Sequence, residues 1–140
     1  MERGAKEVVF DTAIAPDLDA FTSTVFEQAC YQYFWRNGLK GKLPFLPKQI
    51  GGWWQANEEI DLVLLSDTHT MLVECKWSRR PVGSDILEQL EAKSKTLLEV
   101  SGQTVLCGLC SRSGFTDQME KLAEHRNDVI LYDWKDMVDE

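Results

Sequence analysis

The sequence predicts a mixed α/β domain with the element order α-β-β-β-α-β-α-β and a central sheet flanked by helices. Short apolar runs alternate with amphipathic helical stretches along the second half of the chain. A polar turn over 66–69 joins two apolar runs, which is typical of a hairpin. The 140 residues, 44% of them hydrophobic, are enough for one domain with one core.

The helices are predicted from periodicity and caps. The first is expected at about 18–36, because apolar residues recur there at helical spacing, and Gly38 is expected to end it. Those apolar residues are Phe21, Val25, Phe26, Ala29, Tyr33 and Phe34. A second helix near 84–100 begins with Ser84 or Asp85 as its cap, and "GFTDQMEKLAEHR" predicts a shorter third helix.

The strands are predicted from apolar runs bounded by turn residues. The first three are expected near 48–54, 59–65 and 70–77, and they form an antiparallel meander. "QTVLCGLCS" and "DVILYDW" predict a fourth and a fifth strand, each preceded by a helix. This alternation adds the last two strands to the same sheet by crossover connections.

Composition and cysteine usage indicate a cytoplasmic protein with no membrane partner. No run reaches the roughly 18 apolar residues of a membrane span, and "MERGAKEVVF" lacks the apolar segment of a signal peptide. The four cysteines are expected to be small buried hydrophobes in a reducing compartment. Cys107 and Cys110 form a C-x-x-C, but strand positions three apart face opposite sides, and no histidine or second pair completes a zinc site.

The net charge of −8 argues against a broad, nonspecific nucleic-acid binder. The charge is unevenly distributed, however, because basic residues without intervening acids occupy 36–48 and more follow the third strand, whereas the segment after Phe115 is acid-rich. One basic face on an acidic protein and ordinary solvated charge are both compatible with this pattern.

The hairpin centred between Asp67 and Thr68 predicts two carboxylates opposite each other. Leu62 then faces Val73 on an apolar side that also holds Ile60, Leu64, Met71, Cys75 and Trp77. On the other side Asp61 faces Glu74, and Lys76 lies next to Glu74. Directly opposed residues have Cβ atoms about 5 Å apart, so the two carboxylates repel unless a cation lies between them.

This arrangement predicts a Mg²⁺ or Mn²⁺ site held by Asp61 and Glu74, with the backbone carbonyl of Cys75 as a further ligand. Lys76 is placed to orient or deprotonate a water, or to neutralise charge in the transition state. The alternative is a plain ion pair between Glu74 and Lys76, with Asp61 at a charged strand end.

The segments "EIDLVLL" and "MLVECKW" resemble the core motif of the PD-(D/E)XK nuclease superfamily, the restriction-endonuclease-like fold. That motif has an acid at the start of one strand and Glu-x-Lys on the next, and Glu27 in "VFEQAC" matches a glutamate that many members carry on the first helix. The resemblance implies Mg²⁺- or Mn²⁺-dependent hydrolysis of phosphodiester bonds in nucleic acid, DNA above all. It implies Asp61, Glu74, Lys76 and Glu27 as catalytic residues.

A closer resemblance covers most of the chain. "FEQACYQYFWR", "IGGWWQANEEIDLVLL", "VECKWSRRPVG" and "CSRSGFT" are similar to the C-terminal domain of a family of archaeal and bacterial AAA-type ATPases. The resemblance implies that residues 1–140 are one nuclease-like domain, a C-terminal fragment of a larger ATPase whose ATPase domain is its partner. The chain has no G-x-x-x-x-G-K-[ST] phosphate loop. Because the superfamily also contains inactive members, a module that only binds nucleic acid or protein is the alternative.

Residues around the predicted site have both functional and ordinary interpretations. Arg79 and Arg80 follow the third strand and are candidates for phosphate contacts, or are exposed loop residues. Glu27 is either a third carboxylate at the metal or a solvated side chain. Gln89 is expected at the surface, and the tryptophans at 53 and 54 are expected to pack in the core rather than stack on bases.

Overall fold

The computed structural model describes residues 18–55, 58–96 and 103–138. Four helices and five strands occupy these ranges, in the order α1 (Leu18–Leu39), β1 (Gln49–Gln55), β2 (Glu58–Leu65), β3 (His69–Lys76), α2 (Ser84–Thr96), β4 (Thr104–Ser111), α3 (Asp117–Glu124), β5 (Val129–Asp133) and α4 (Trp134–Val138). No helix in these ranges is long and apolar enough to cross a membrane.

The strands form one sheet in the order β1-β2-β3-β4-β5. The pairs β1–β2 and β2–β3 are antiparallel, and β3–β4 and β4–β5 are parallel, with α2 and α3 as the crossover helices. The predicted fold class is confirmed, and α4 is an addition that the sequence analysis did not predict. A five-residue helix directly after a strand gives too short a pattern for a periodicity argument.

The first helix extends beyond its predicted end. Gly38 lies inside α1, because Lys40 N–H still donates to the carbonyl of Arg36, and Gly41 adopts the positive φ of 75° just after the helix. Val25, predicted on the apolar face, is 49% exposed, whereas Phe26, Tyr33 and Phe34 are buried. The side chains of Phe21 and of the tryptophans at 53 and 54 lie outside the described residues.

Each face of the sheet has its own apolar core. One core lies between the sheet and α1, with α4 at its edge; its buried members are Phe26, Cys30, Tyr33, Phe34, Ile50, Leu62, Leu64, Met71, Val73, Cys75, Leu106, Cys110 and Met137. The other lies under α2 and α3, with buried members Ile60, Val63, Leu72, Val82, Leu87, Leu90, Cys107, Leu109, Met119 and Val129. Cys107 and Cys110 therefore face opposite sides, as predicted, and helices cover both faces.

The register of the central hairpin is confirmed for four pairs, from Leu65–Thr70 to Leu62–Val73. The next two predicted pairs, Asp61–Glu74 and Ile60–Cys75, do not belong to this ladder. A β-bulge is the reason: β1 pairs Gly51 with Val63 and Trp53 with Ile60, so two residues of β2 oppose Gly52 alone.

The bulge also reverses the alternation of β2. Ile60, predicted on the same side as Leu62, instead packs under α2 with Val63 and Leu72. Gly52 lies opposite the bulge, where a Cβ would be in van der Waals contact with the carbonyl oxygen of Asp61 at 3.4 Å. The bulged residue is thus Asp61, the first acid of the predicted site.

Candidate functional site

The pairing of β2 with β3 ends at Leu62–Val73, and the region between Asp61 and the segment Glu74–Lys76 beyond this pair is called the notch. Beyond the last ladder pair, the Asp61 carboxylate takes the place of a main-chain acceptor: Cys75 N–H donates to its Oδ2 at 2.8 Å. This bond joins the two strands through a side chain. It fixes the Asp61 carboxylate next to the Glu74–Lys76 segment without direct strand pairing between them.

Glu74 lies between two ammonium groups. Lys76 Nζ is 3.4 Å from Oε2, and Lys93 Nζ, from α2, is 3.9 Å from Oε1. The predicted ion pair of Glu74 and Lys76 is therefore present, and it coexists with the carboxylate arrangement. Oε1 is buried and has no hydrogen-bond donor among the described residues. Because its nearest ammonium, on Lys93, is 3.9 Å away, this buried oxygen lacks the hydrogen-bonded partner that a buried carboxylate needs.

Burial and the neighbouring Glu74 carboxylate raise the pKa of Asp61 from 3.8 to about 7. The Cys75 N–H and Lys76 oppose this shift, and Glu27 adds to it. The carboxylates around Asp61 therefore raise its pKa by more than the charge of Lys76 lowers it. A cation bound there would relieve the repulsion.

Glu27 reaches the same region from α1. It lines a cleft of about 350 Å³ together with Asp61, Gly52 and Tyr31. Burial, and next Glu59 and Glu74, raise the pKa of Glu27. Glu27, Asp61 and Glu74 therefore influence one another electrostatically, but only Glu27 and Asp61 line this cleft. A larger groove of about 490 Å³, next to Trp35 and Lys48, contains none of the predicted site residues.

The donor set of the notch fits a hard divalent cation. Its side-chain ligands are carboxylate oxygens, which Mg²⁺ and Mn²⁺ prefer, and Glu74 Oε1 lacks a hydrogen-bond donor within the described ranges. The carboxylates do not form a closed cage. Among the described residues, the one group of three potential ligand side chains whose ligand atoms lie within 4.8 Å of one another consists of cysteines. Such open sites suit Mg²⁺, which keeps several waters.

Basic side chains lie at the exit of β3. Arg79 and Arg80 are exposed in the bend after Lys76, which is compatible both with phosphate contacts and with ordinary loop residues. Arg112 was not predicted: it follows β4, donates its N–H to the carbonyl of Lys76 at 3.1 Å, and stacks its guanidinium 4.6 Å from the centre of the Trp77 ring. Gln89 is exposed, as expected.

Lys93 and a trio of cysteines were missed by sequence reasoning. Lys93 follows buried Leu90 by three positions on α2, so both residues lie on the same face of this helix. A lysine on the buried face of an amphipathic helix was the signal from which its role could have been predicted. Cys30, Cys75 and Cys110 come together in the core beside α1. Hydrogen bonds from Cys110 and Cys75 lower the pKa of Cys30 to about 5. No sequence spacing relates these three residues.

Comparisons with known proteins agree with this fold. Residues 1–95 match DUF234, described as archaea bacterial proteins of unknown function. An uncharacterized protein of Methanocaldococcus jannaschii, MJECL04, is 36% identical over 75 residues, which are 51% of this chain and 17% of that protein. The matched region thus spans about a sixth of the length of this curated relative.

Two solved structures match this chain over 76% of its length. A repair endonuclease from Pyrococcus abyssi superposes with a TM-score of 0.54 at 18% identity, over 76% of this chain and 46% of that one. A protein of unknown function, AF1548, has a TM-score of 0.45 at 24% identity, over 76% of this chain and 59% of that one. The endonuclease similarity shows a restriction-endonuclease-like fold for this domain.

Proposed function

We propose that this chain, which belongs to the DUF234 family of archaeal and bacterial proteins, is a metal-dependent nuclease domain of the PD-(D/E)XK type. Such a domain would hydrolyse phosphodiester bonds of nucleic acid. One observation carries the proposal. The buried Oε1 of Glu74 has no hydrogen-bond donor in the described structure, and it lies beside Asp61, whose pKa is raised to about 7. This surplus of negative charge is suited to a divalent cation.

Each residue of the notch has a role in this proposal. Asp61 and Glu74 hold Mg²⁺ or Mn²⁺, with the carbonyl of Cys75 as a further ligand and Glu27 as an outer carboxylate. The metal supplies a water of lowered pKa and neutralises phosphate charge. Lys76 Nζ, 3.4 Å from Glu74 Oε2, orients the attacking water or neutralises the transition state. The Cys75 N–H fixes the orientation of Asp61.

The proposed substrate is DNA. Arg79 and Arg80 are exposed next to Lys76, where guanidinium groups can bind phosphates bidentately. Arg112 follows β4, the neighbour of β3, and its main-chain N–H donates to the carbonyl of Lys76, so a third arginine lies near the end of β3. This local basic surface gives a polyanion a place to bind on a chain of net charge −8.

The second candidate is a catalytically inactive module that binds nucleic acid or protein, and the net charge of −8 favours it. A metal titration separates the two, because a docking module has no reason to retain Mg²⁺ affinity in the notch. The proposal also places this domain on the same polypeptide as an AAA-type ATPase domain. The small share of its curated relative that the chain matches, 17%, is consistent with a larger protein.

A cleavage assay tests the proposal. Wild type, Asp61→Ala and Lys76→Met are incubated with single-stranded, duplex and branched DNA in Mg²⁺, in Mn²⁺ and in chelator. We expect metal-dependent cleavage by wild type and a loss of at least about 100-fold in both variants, the scale of one removed acid–base or charge-stabilising group. Binding without cleavage by wild type under every metal condition would instead support the docking module.

A further inference from the structure

Three cysteines from three separate elements meet in the core next to α1. Their sulfur atoms all lie within 4.8 Å of one another. Cys75 of β3 and Cys110 of β4 are direct partners in the parallel ladder, and Cys30 of α1 lies over both. Cys30 and Cys110 are 0% exposed and Cys75 is 8% exposed, so the cluster is closed to solvent.

This geometry is close to that of a three-thiolate metal centre. A metal–sulfur bond of about 2.3 Å in a trigonal arrangement places the sulfur atoms about 4.0 Å apart. The observed mutual spacing of up to 4.8 Å therefore requires an inward shift of less than about 1 Å, which side-chain rotation can supply. Thiolates from a helix and two strands would surround the metal from two sides.

Ordinary packing accounts for the burial of cysteines but not for their convergence. Cys107, the fourth cysteine, is equally buried at 4% exposure, yet it packs alone in the other core among Leu, Val and Met side chains. In the core beside α1, large apolar residues occupy most of the surrounding positions. Three adjacent thiols take positions in which Leu or Val would bury more apolar surface.

We propose that Cys30, Cys75 and Cys110 form a buried three-thiolate site for a soft, thiophilic metal cation, and Zn²⁺ is the probe that tests it. Soft sulfur ligands select such cations over Mg²⁺. Binding transfers the thiol protons to solvent and leaves three thiolates on one cation. With Zn²⁺ the site then carries one negative charge, against two with Cu⁺, and the smaller charge costs less in an apolar core.

The site is distinct from the notch but supports it. Cys75 lies between Glu74 and Lys76 and donates its N–H to Asp61, and Cys30 follows Glu27 by three positions on α1. A metal that ties Cys30 to Cys75 would fix the helix to β3 and so set the separation of the carboxylates. The thiolate site has its own ligands, so it stands whether or not the notch is catalytic.

Zinc binding by the whole purified chain tests the proposal. Protein is stripped of metal and kept reduced with a phosphine that does not bind metal, and Zn²⁺ is titrated against a chromophoric chelator. We expect one tightly bound Zn²⁺ per chain in wild type and a loss of affinity of at least about 100-fold in Cys30→Ala and Cys110→Ala. Cys107→Ala is the matched control and should keep the site, as should Asp61→Asn. Co²⁺ substitution should give sulfur-to-metal charge-transfer absorption that both site variants lose.

Several outcomes would overturn the assignment. Wild type that takes up no stoichiometric Zn²⁺ while Mg²⁺ or Mn²⁺ still binds would leave the notch intact and remove the thiolate site. Equal loss of zinc in Cys107→Ala and Cys110→Ala would show an effect of core packing rather than ligation. Loss of zinc in Asp61→Asn alone would assign the ion to the notch. Circular dichroism of each variant identifies unfolded proteins, and Cys30→Ser serves as the second variant if Cys30→Ala does not fold.

Discussion

Replacement of Asp61 by asparagine should stabilise the metal-free domain at neutral and alkaline pH. Asparagine keeps an oxygen that accepts the hydrogen bond from Cys75 N–H, but it removes the charge that burial and Glu74 disfavour. The folded pKa of Asp61, about 7, lies above its ordinary value of 3.8. The native state therefore binds more protons than the unfolded chain between these values, and stability falls as pH rises through this window.

The expected size of the effect follows from the pKa of Asp61. A rise of about three pKa units corresponds to about 4 kcal/mol. Because the side chain is partly exposed, screening by solvent reduces this to about 2 kcal/mol. For a domain of this length, that is a rise of about 7 °C in Tm at pH 8. At pH 4 the gain should nearly vanish, because Asp61 is then protonated in the native wild type.

Thermal melting in chelator between pH 4 and pH 8 measures this. Asp67→Asn is the control, since Asp67 is exposed in the hairpin turn, and the same chemical change there should alter stability by less than about 0.5 kcal/mol. Metal at ten times its Kd should add about 1.4 kcal/mol to wild type and nothing to Asp61→Asn. A variant that only destabilises, or a gain independent of pH, would refute the electrostatic reasoning.

Three further predictions concern residues around the sheet. Lys93→Met should lower stability by about 1 kcal/mol in thermal melts, because Glu74 loses one of its two ammonium neighbours; an unchanged Tm would show that Lys93 does not support the site. The double change Arg79→Ala and Arg80→Ala should lower the salt slope of DNA binding by up to about 2 without changing Tm, whereas an unchanged slope would place the phosphates elsewhere. Arg126→Met should cost up to about 1 kcal/mol at pH 7. This cost should shrink as pH falls below about 4, since Arg126 lowers the pKa of Asp128; a cost independent of pH would contradict it.

Local patterns predicted most of the fold because each element depends on residues near it in sequence. The centre of the hairpin fixed the register of four pairs, from Leu65–Thr70 to Leu62–Val73. The bulge at Asp61 was not predictable from β2 alone, because it lies in the pairing of β2 with β1. The assumed direct pairing of Asp61 with Glu74 was therefore wrong, and the roles of these residues in a site stay a prediction.

The parts of the site that were missed depend on tertiary packing. Lys93 reaches Glu74 only because α2 packs across the face of β3. The cysteine cluster needs α1 to pack on two adjacent parallel strands, and Cys30 is separated from Cys75 by the whole β1–β2 region. No local period encodes such a convergence, so only the folded chain reveals it.

The proposed nuclease activity depends on a divalent-cation site at Asp61 and Glu74, and Mn²⁺ binding to the metal-free protein tests whether this site exists. Isothermal titration or the paramagnetic signal of free Mn²⁺ gives the stoichiometry and Kd for wild type, for Glu74→Gln and for Glu88→Gln, an exposed glutamate on α2. We predict that wild type and Glu88→Gln each bind one Mn²⁺ at this site. The affinity of Glu74→Gln for Mn²⁺ should be at least about 10-fold weaker, which is the scale on which a lost supporting group weakens a metal site. Equal Mn²⁺ binding by wild type and Glu74→Gln, or none by wild type, would contradict it.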